Sequence, residues 1–152
     1  MKIISHRGNL SGPDPKQENK PSQIINAIQK GYEVEIDVWF KDKKFYLGHD
    51  EPQYDFPFEL LEKFYTKLWV HAKSFETLNK LKDIDYDGNY LNYFWHQSDD
   101  YVLTSKGYIW TFPNKFLSYN SICVKPEIQK EKVISDCAGI CTDFPIKYEN
   151  NL

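Results

Sequence analysis

Short apolar runs alternate with short amphipathic stretches along most of the chain, and that alternation leaves few folds open. It is the pattern of β-α units around a parallel sheet, in which each strand reaches its neighbour through a crossover. The runs Ile3–Ser5, Glu33–Trp39, Leu68–His71, Tyr93–His96, Tyr108–Thr111, Ile122–Val124 and Gly139–Thr142 read as strands. Pro21–Lys30 reads as a helix: Pro sits in its first turn, Ile24, Ile25, Ala27 and Ile28 recur at helical spacing, and Gly31 follows its end. Phe58–Tyr65 places Leu60, Leu61 and Phe64 on one face, Ser74 can cap a helix running to about Lys82, and a short helix is expected between Glu127 and Ser135. Two connections are too short for helices. Lys41–Lys44 is a tight turn into Phe45-Tyr46-Leu47, and Ser105-Lys106-Gly107 joins Tyr101–Thr104 to Tyr108–Thr111.

At 152 residues the chain is expected to be one domain, with no room for a separate substrate domain. A net charge of -3 argues against a general nucleic-acid binder, which needs a basic face, whereas one small phosphate needs only a local Arg or Lys. The first strand starts at once, without a signal-like leader, and no apolar run is long enough to span a bilayer, so a cytoplasmic protein without stable membrane insertion is expected. Cys123, Cys137 and Cys141 lack metal-ligand spacing and read as reduced structural thiols.

Four short motifs in the first third carry chemistry: His6-Arg7-Gly8, Glu18-Asn19, Glu35-Ile36-Asp37 and His49-Asp50. A strand's period of two puts Glu35 and Asp37 on one face, so two hard oxygen ligands point the same way and suit magnesium or calcium. On an ordinary exposed strand their repulsion would be a cost without a purpose. Glu33 is in phase with them but nearer the strand's start. His6 and His49 are the acid and base candidates, because phosphodiester cleavage needs one proton given and one taken. The planar fork of Arg7 matches nonbridging phosphate oxygens. Asp50 is expected to hold His49 or the hairpin.

These motifs, with Gly139-Ile140-Cys141-Thr142-Asp143-Phe144-Pro145 near the end, resemble the glycerophosphodiester phosphodiesterase family of the phosphatidylinositol phospholipase C-like superfamily. The resemblance implies a compact α/β barrel of the TIM type, with His-Arg ending the first strand, metal-binding Glu-x-Asp on the second and Thr-Asp-x-Pro after the last. A complete barrel of this type takes about 200 residues or more. Several helices are therefore expected to be shortened or missing, and a strand to be absent or supplied by a second copy of the chain. The resemblance also places Glu18 near the metal or the catalytic His, while its residue-level alternative is to organise the loop with Asn19.

On the third strand relatives carry Glu-x-Lys, where this chain has His71-Ala72-Lys73. Lys73 then keeps the phosphate-facing role, and His71 is expected either to ligate through a ring nitrogen or to pack and hydrogen-bond. A neutral imidazole in place of a carboxylate softens the site and opens it to manganese, cobalt or zinc. Lys125 and Trp110, near the ends of later strands, are candidate substrate contacts, and His96 a candidate to line the cleft. The function implied is metal-dependent hydrolysis of a glycerophosphodiester within lipid metabolism. Its alternatives are a lysophospholipid or a glycerol-phosphate-bearing cell-surface glycan as substrate, or a phosphate-binding module that has lost turnover.

Overall fold

A computed structural model describes residues 1–85, 87–88, 90–130 and 136–149. The elements, in chain order, are β1 (Lys2–His6), α1 (Pro21–Gln29), β2 (Glu33–Lys41), β3 (Lys44–Leu47), β4 (Tyr54–Asp55), α2 (Phe58–Phe64), β5 (Leu68–Ala72), α3 (Phe75–Ile84), β6 (Asn92–Phe94), β7 (Tyr101–Leu103), β8 (Ile109–Thr111), β9 (Ser121–Val124), β10 (Gly139–Thr142) and α4 (Pro145–Glu149). One sheet holds all ten strands of the described residues. Its spine is parallel, in the order β6-β5-β2-β1-β10-β9-β8, and curls into a partial barrel. The arms β3 and β7 are antiparallel, added by hairpins to β2 and β8.

The alternation of side chains along β2 and β5 builds two separate cores. Val34, Ile36, Val38, Leu68, Val70 and Ala72 face outward and are buried beneath Ile24 and Ala27 of α1, Leu61 of α2 and Leu81 of α3. Each fully buried aliphatic side chain of this kind contributes about 1.5–3 kcal/mol. The opposite face turns inward, where Ile4, Trp69, Phe94, Trp110, Ile122, Val124 and Cys141 fill the interior. Glu35, Asp37 and His71 share that inner face and cap it at the carboxyl ends of the strands.

β6 and β8, the two ends of the parallel spine, share no strand ladder. Across that opening Ser105 donates its backbone N–H to Tyr93 O at 2.9 Å, and its Oγ donates to Leu91 O at 3.0 Å. Inside, Phe94 and Trp110 meet at 4.6 Å and Trp69 and Trp110 at 5.9 Å between centroids, so aromatic rings occupy the gap. The expectation of missing helices is met among the described residues: β8 and β9 are joined without one, and β6 passes to β8 through the β7 hairpin alone.

Two expectations are corrected, and one element is new. The strand expected to reach His96 ends at Phe94, because Gln97 and Asp99 close a polar turn there, with Gln97 N–H on Asp99 Oδ2 at 3.2 Å. The helix expected between Glu127 and Ser135 is a single 3-10 turn, Pro126–Ile128, within the described residues; 131–135 lie outside them. The short helix α4 was not anticipated; Pro145 opens it after the Thr142-Asp143-Phe144 turn.

The β2–β3 turn has positive φ at both Asp42 and Lys43, the type I′ geometry that suits a twisted hairpin. At the other end of β3, Gly48 precedes His49 with φ +152°, and an added Cβ would fall 2.1 Å from Glu51 O. Gly107 also has positive φ but opens onto free space. Gly48→Ala should therefore destabilise by about 1–3 kcal/mol through overpacking, and by more than Gly107→Ala, as measured by urea unfolding.

Candidate functional site

Parallel pairing sets the site. His6 lies in register with Glu35, and Asp37 with His71, so three strands present their chemical residues at one level. His-Arg-Gly then turns sharply, with φ +54° at Arg7 and +81° at Gly8. A Cβ on Gly8 would stand 3.1–3.3 Å from Gln23 and Ile24, so glycine lets the start of α1 pack against the turn.

Asp37 is wholly buried and collects donors from three segments. Asn19 Nδ2 donates to Oδ2 at 2.9 Å, and Arg7 Nε stands 3.0 Å from the same oxygen without hydrogen-bond alignment. On the other side Oδ1 takes His71 Nδ1 at 2.9 Å and Lys73 Nζ at 3.3 Å. Burial alone would raise its pKa, but the His71 hydrogen bond and the charges of Arg7, His71 and Lys73 outweigh it and hold the carboxylate ionised. Glu35, 2% exposed, goes the other way. Burial and the charge of Asp37 raise its pKa against the opposing pull of His6, Arg7 and His71. Its contacts are long: Arg7 N at 3.3 Å, and His6 Nε2 and His71 Nδ1 each at 3.9 Å.

His6 is held from behind. Its Nδ1 bonds Asp143 Oδ1 at 2.7 Å, which turns Nε2 toward Glu35. Asn9 Nδ2 donates to the same Asp143 oxygen at 2.8 Å, and Lys125 Nζ lies 3.5 Å from Oδ2. Burial would raise the Asp143 pKa, but His6, Asn9 and Lys125 bring it down to about 2. His49 pairs with Asp50 at 2.7 Å, and burial and the charge of Arg7 lower its pKa, favouring the neutral ring. His71 stacks on His96 at 4.4 Å between centroids, and burial, His71 and Lys73 push His96 down to about 4.

A cleft of about 430 Å³ opens over these groups and is lined by all four histidines together with Arg7, Glu35, Lys73, Trp110 and Lys125. Every candidate site residue except Glu18, Asp37 and Asp50 lines it, and Asp37 lies directly beneath. Glu18 stands one residue from the carboxylate pair through Arg7, which also meets Asp37, and one residue from the His6 partner Asp143 through Asn9. It accepts Arg7 Nη1 and Asn9 Nδ2, each at 3.0 Å, so it orients the guanidinium. Glu33 is at the far end of its strand, bound to Lys2 and Trp69. Glu35, Asp37 and His71 bring one ligand atom each within 4.8 Å of one another, a group that could hold a metal ion.

Sequence reasoning left out Asp143, Asn9 and Glu127. Asp143 had a signal, the Thr-Asp-x-Pro turn after a strand. Glu127, which accepts Thr142 Oγ1 at 2.9 Å and the Asp143 N–H at 3.3 Å to hold that turn, had none. No protein-family model matches the chain, and no curated protein or solved structure matches it either. No helix among the described residues is long and apolar enough to cross a membrane.

The two in-phase carboxylates should affect stability in opposite directions. Asp37→Asn removes the charge on which Asn19, Arg7, His71 and Lys73 converge and should cost about 3–5 kcal/mol at pH 7. Glu35, with a raised folded pKa, becomes a burden as pH rises through that value, so Glu35→Gln should match or exceed wild type in metal-free urea unfolding. Equal losses in both variants would contradict this assignment. Asp143 has a depressed folded pKa, so its contribution is present above its unfolded value of about 4 and lost as pH falls toward about 2. Asp143→Asn should flatten that part of the acid unfolding curve.

Proposed function

We propose that this protein is a metal-dependent phosphodiester hydrolase acting on glycerophosphodiester-type substrates, built on an abbreviated TIM-type barrel of the glycerophosphodiester phosphodiesterase kind. The observation that carries this reading is that His6 and His49 line one cleft with Arg7 and Lys73, above the buried Glu35, Asp37 and His71 group. That is a proton donor, a proton acceptor, an anion clamp and a cation site around a space for one small substrate.

The donor set fits a divalent cation. Two hard carboxylate oxygens and one imidazole nitrogen converge, and the buried Glu35 carboxylate meets His6 and His71 only at 3.9 Å each, too far to cancel its burial, so a cation there would offset its desolvation. Glu35, Asp37 and His71 would hold it. Asp37 and His71 now share a hydrogen bond that ligation would replace. Such a cation supplies Lewis-acid stabilisation of phosphate charge and lowers the pKa of a bound hydroxyl. Magnesium or calcium suits the carboxylates, while His71 extends the range to manganese, cobalt or zinc.

The protein's own groups do the rest. Arg7, steadied by Glu18, and Lys73 place the nonbridging oxygens. His49, held toward its neutral form, accepts the proton of the substrate hydroxyl next to the phosphate as that oxygen bonds to phosphorus. His6, oriented by Asp143, delivers a proton to the departing alcohol oxygen as the old ester bond breaks. The product is a cyclic phosphate that water can open.

Hydrolysis of a chromogenic phosphodiester should be abolished by EDTA and restored by a divalent cation. Glu35→Gln should lose metal affinity in calorimetry. His6→Ala and His49→Ala should each lose about 100-fold or more in turnover while still binding metal; near wild-type turnover in either would remove that residue from the mechanism. Phosphate binding without any turnover would leave a binding module instead. His71→Glu should shift metal preference toward magnesium and calcium, and His71→Ala should weaken metal binding. Unchanged affinity and rank order in both would take His71 out of the site.

A further inference from the structure

Lys125 stands apart among the cations of the cleft. It follows β9 in a left-handed conformation, φ +47° and ψ 62°, although it precedes Pro126, where sterics push a residue toward extended backbone. Strain of this kind persists only where the surroundings over-determine it, and it gathers at functional sites. Here the Lys125 N–H is held by Cys141 O at 2.7 Å, and the side chain lines the cleft.

Its charge is also the least neutralised of the three cations. Arg7 is paired at 3.0 Å to both Glu18 and Asp37, and Lys73 stands 3.3 Å from Asp37. Lys125 reaches one carboxylate, Asp143, at 3.5 Å, and its side chain is 36% exposed against 18% for Arg7 and 14% for Lys73. Among the described residues lining the cleft, Glu35 is the only acid; Asp50, beside it, is committed to His49.

Strand order shows which part of a substrate Lys125 would meet. In the sequence β9-β10-β1-β2-β5, Arg7, Asp37 and Lys73 lie to one side of His6, and Lys125 lies on the other, beyond Asp143. Adjacent strands are about 4.8 Å apart, so β9 is about 10 Å across the sheet from β1. The Lys125 ammonium reaches back to 3.5 Å from Asp143 Oδ2, on the side of His6 away from Arg7 and Lys73, where the alcohol protonated by His6 would leave.

We infer that Lys125 binds an anionic substituent of the leaving alcohol, so that the preferred substrates are phosphodiesters whose leaving alcohol carries a carboxylate or a second phosphate. Alcohols bearing a quaternary ammonium are disfavoured in the same place. This inference rests on the phosphodiesterase reading above. It makes Lys125 a specificity-determining residue, separate from the groups that transfer protons.

The test compares glycerophospho esters of choline, glycerol, glycerate and glycerol phosphate on the metal-supplemented protein, with kcat/KM followed by phosphorus-31 NMR. Their non-hydrolysable phosphonate analogues are titrated in parallel by calorimetry. At least one anionic alcohol should exceed choline by about tenfold or more, the scale of one charge-assisted contact. Whether glycerate or glycerol phosphate leads identifies the anion. Lys125→Gln should bring that ratio close to one, and Lys125→Glu should reverse it. Turnover without a charge ranking, or a ranking that survives Lys125→Gln, would overturn the assignment of Lys125 while leaving the hydrolase reading in place. A ranking in analogue binding that Lys125→Gln removes, without turnover of any ester, would uphold Lys125 and overturn hydrolysis. No binding of any analogue overturns both.

Discussion

The buried carboxylate of Asp37 is the interaction around which the upper half of this molecule is arranged. An ionised group without solvent must be paired, and the pairing here draws Asn19 and Arg7 from the segments flanking the first loop, His71 from β5 and Lys73 from just beyond its end. Those partners are the same residues that give the cleft its chemistry. The electrostatic cost of one buried charge thus also fixes the geometry of an anion clamp. Glu35, two residues earlier on the same face, lacks such a set of close partners and keeps the cost of its burial, which is the condition a cation would relieve.

A second regularity is where the backbone is strained. Of the six described non-glycine residues with positive φ, Asp42, Lys43 and Asn114 are turn residues that do not line the cleft, whereas Arg7, Asn19 and Lys125 belong to the cleft or to its support. Each of those three is held by a specific backbone bond: Arg7 N to Glu35 O at 3.0 Å, Asn19 N to Arg7 O at 3.0 Å and Lys125 N to Cys141 O at 2.7 Å. These bonds hold the conformations, which re-aim side chains that a regular strand would have sent alternately to its two faces. The abbreviated sheet tolerates this because its interior is filled by Trp69, Phe94 and Trp110 rather than left as an open pore.

Much of this was legible along the chain, for reasons that can be named. The period of two in Glu35-Ile36-Asp37 requires both carboxylates to share a face whatever lies around them, and Ile36 lies on the opposite face in the outer core. Pro21 and Gly31 punctuate α1, and the type I′ turn at Asp42-Lys43 sits where the short polar connection placed it. Glu18-Asn19 was legible as a motif but not in its division of labour, with Glu18 holding Arg7 and Asn19 holding Asp37. Those partners lie 11 and 18 residues away and meet only because the loop folds back over the strand ends.

The sequence by itself determined the strand and helix alternation, the face on which each chemical residue would lie and the types of group available: imidazoles, a guanidinium and paired carboxylates. Local periodicity and turn chemistry carry that information, since they depend on neighbours within a few residues. Only the tertiary structure decided that Asp143 stands behind His6 across 137 residues, that His96 stacks on His71 and that Glu33 is tied to Lys2 and Trp69 at the other end of its strand. It also decided the different charge environments of Glu35 and Asp37. The physical reason is that desolvation and pairing depend on which distant strands become neighbours, and the register between parallel strands is set by the packed sheet as a whole.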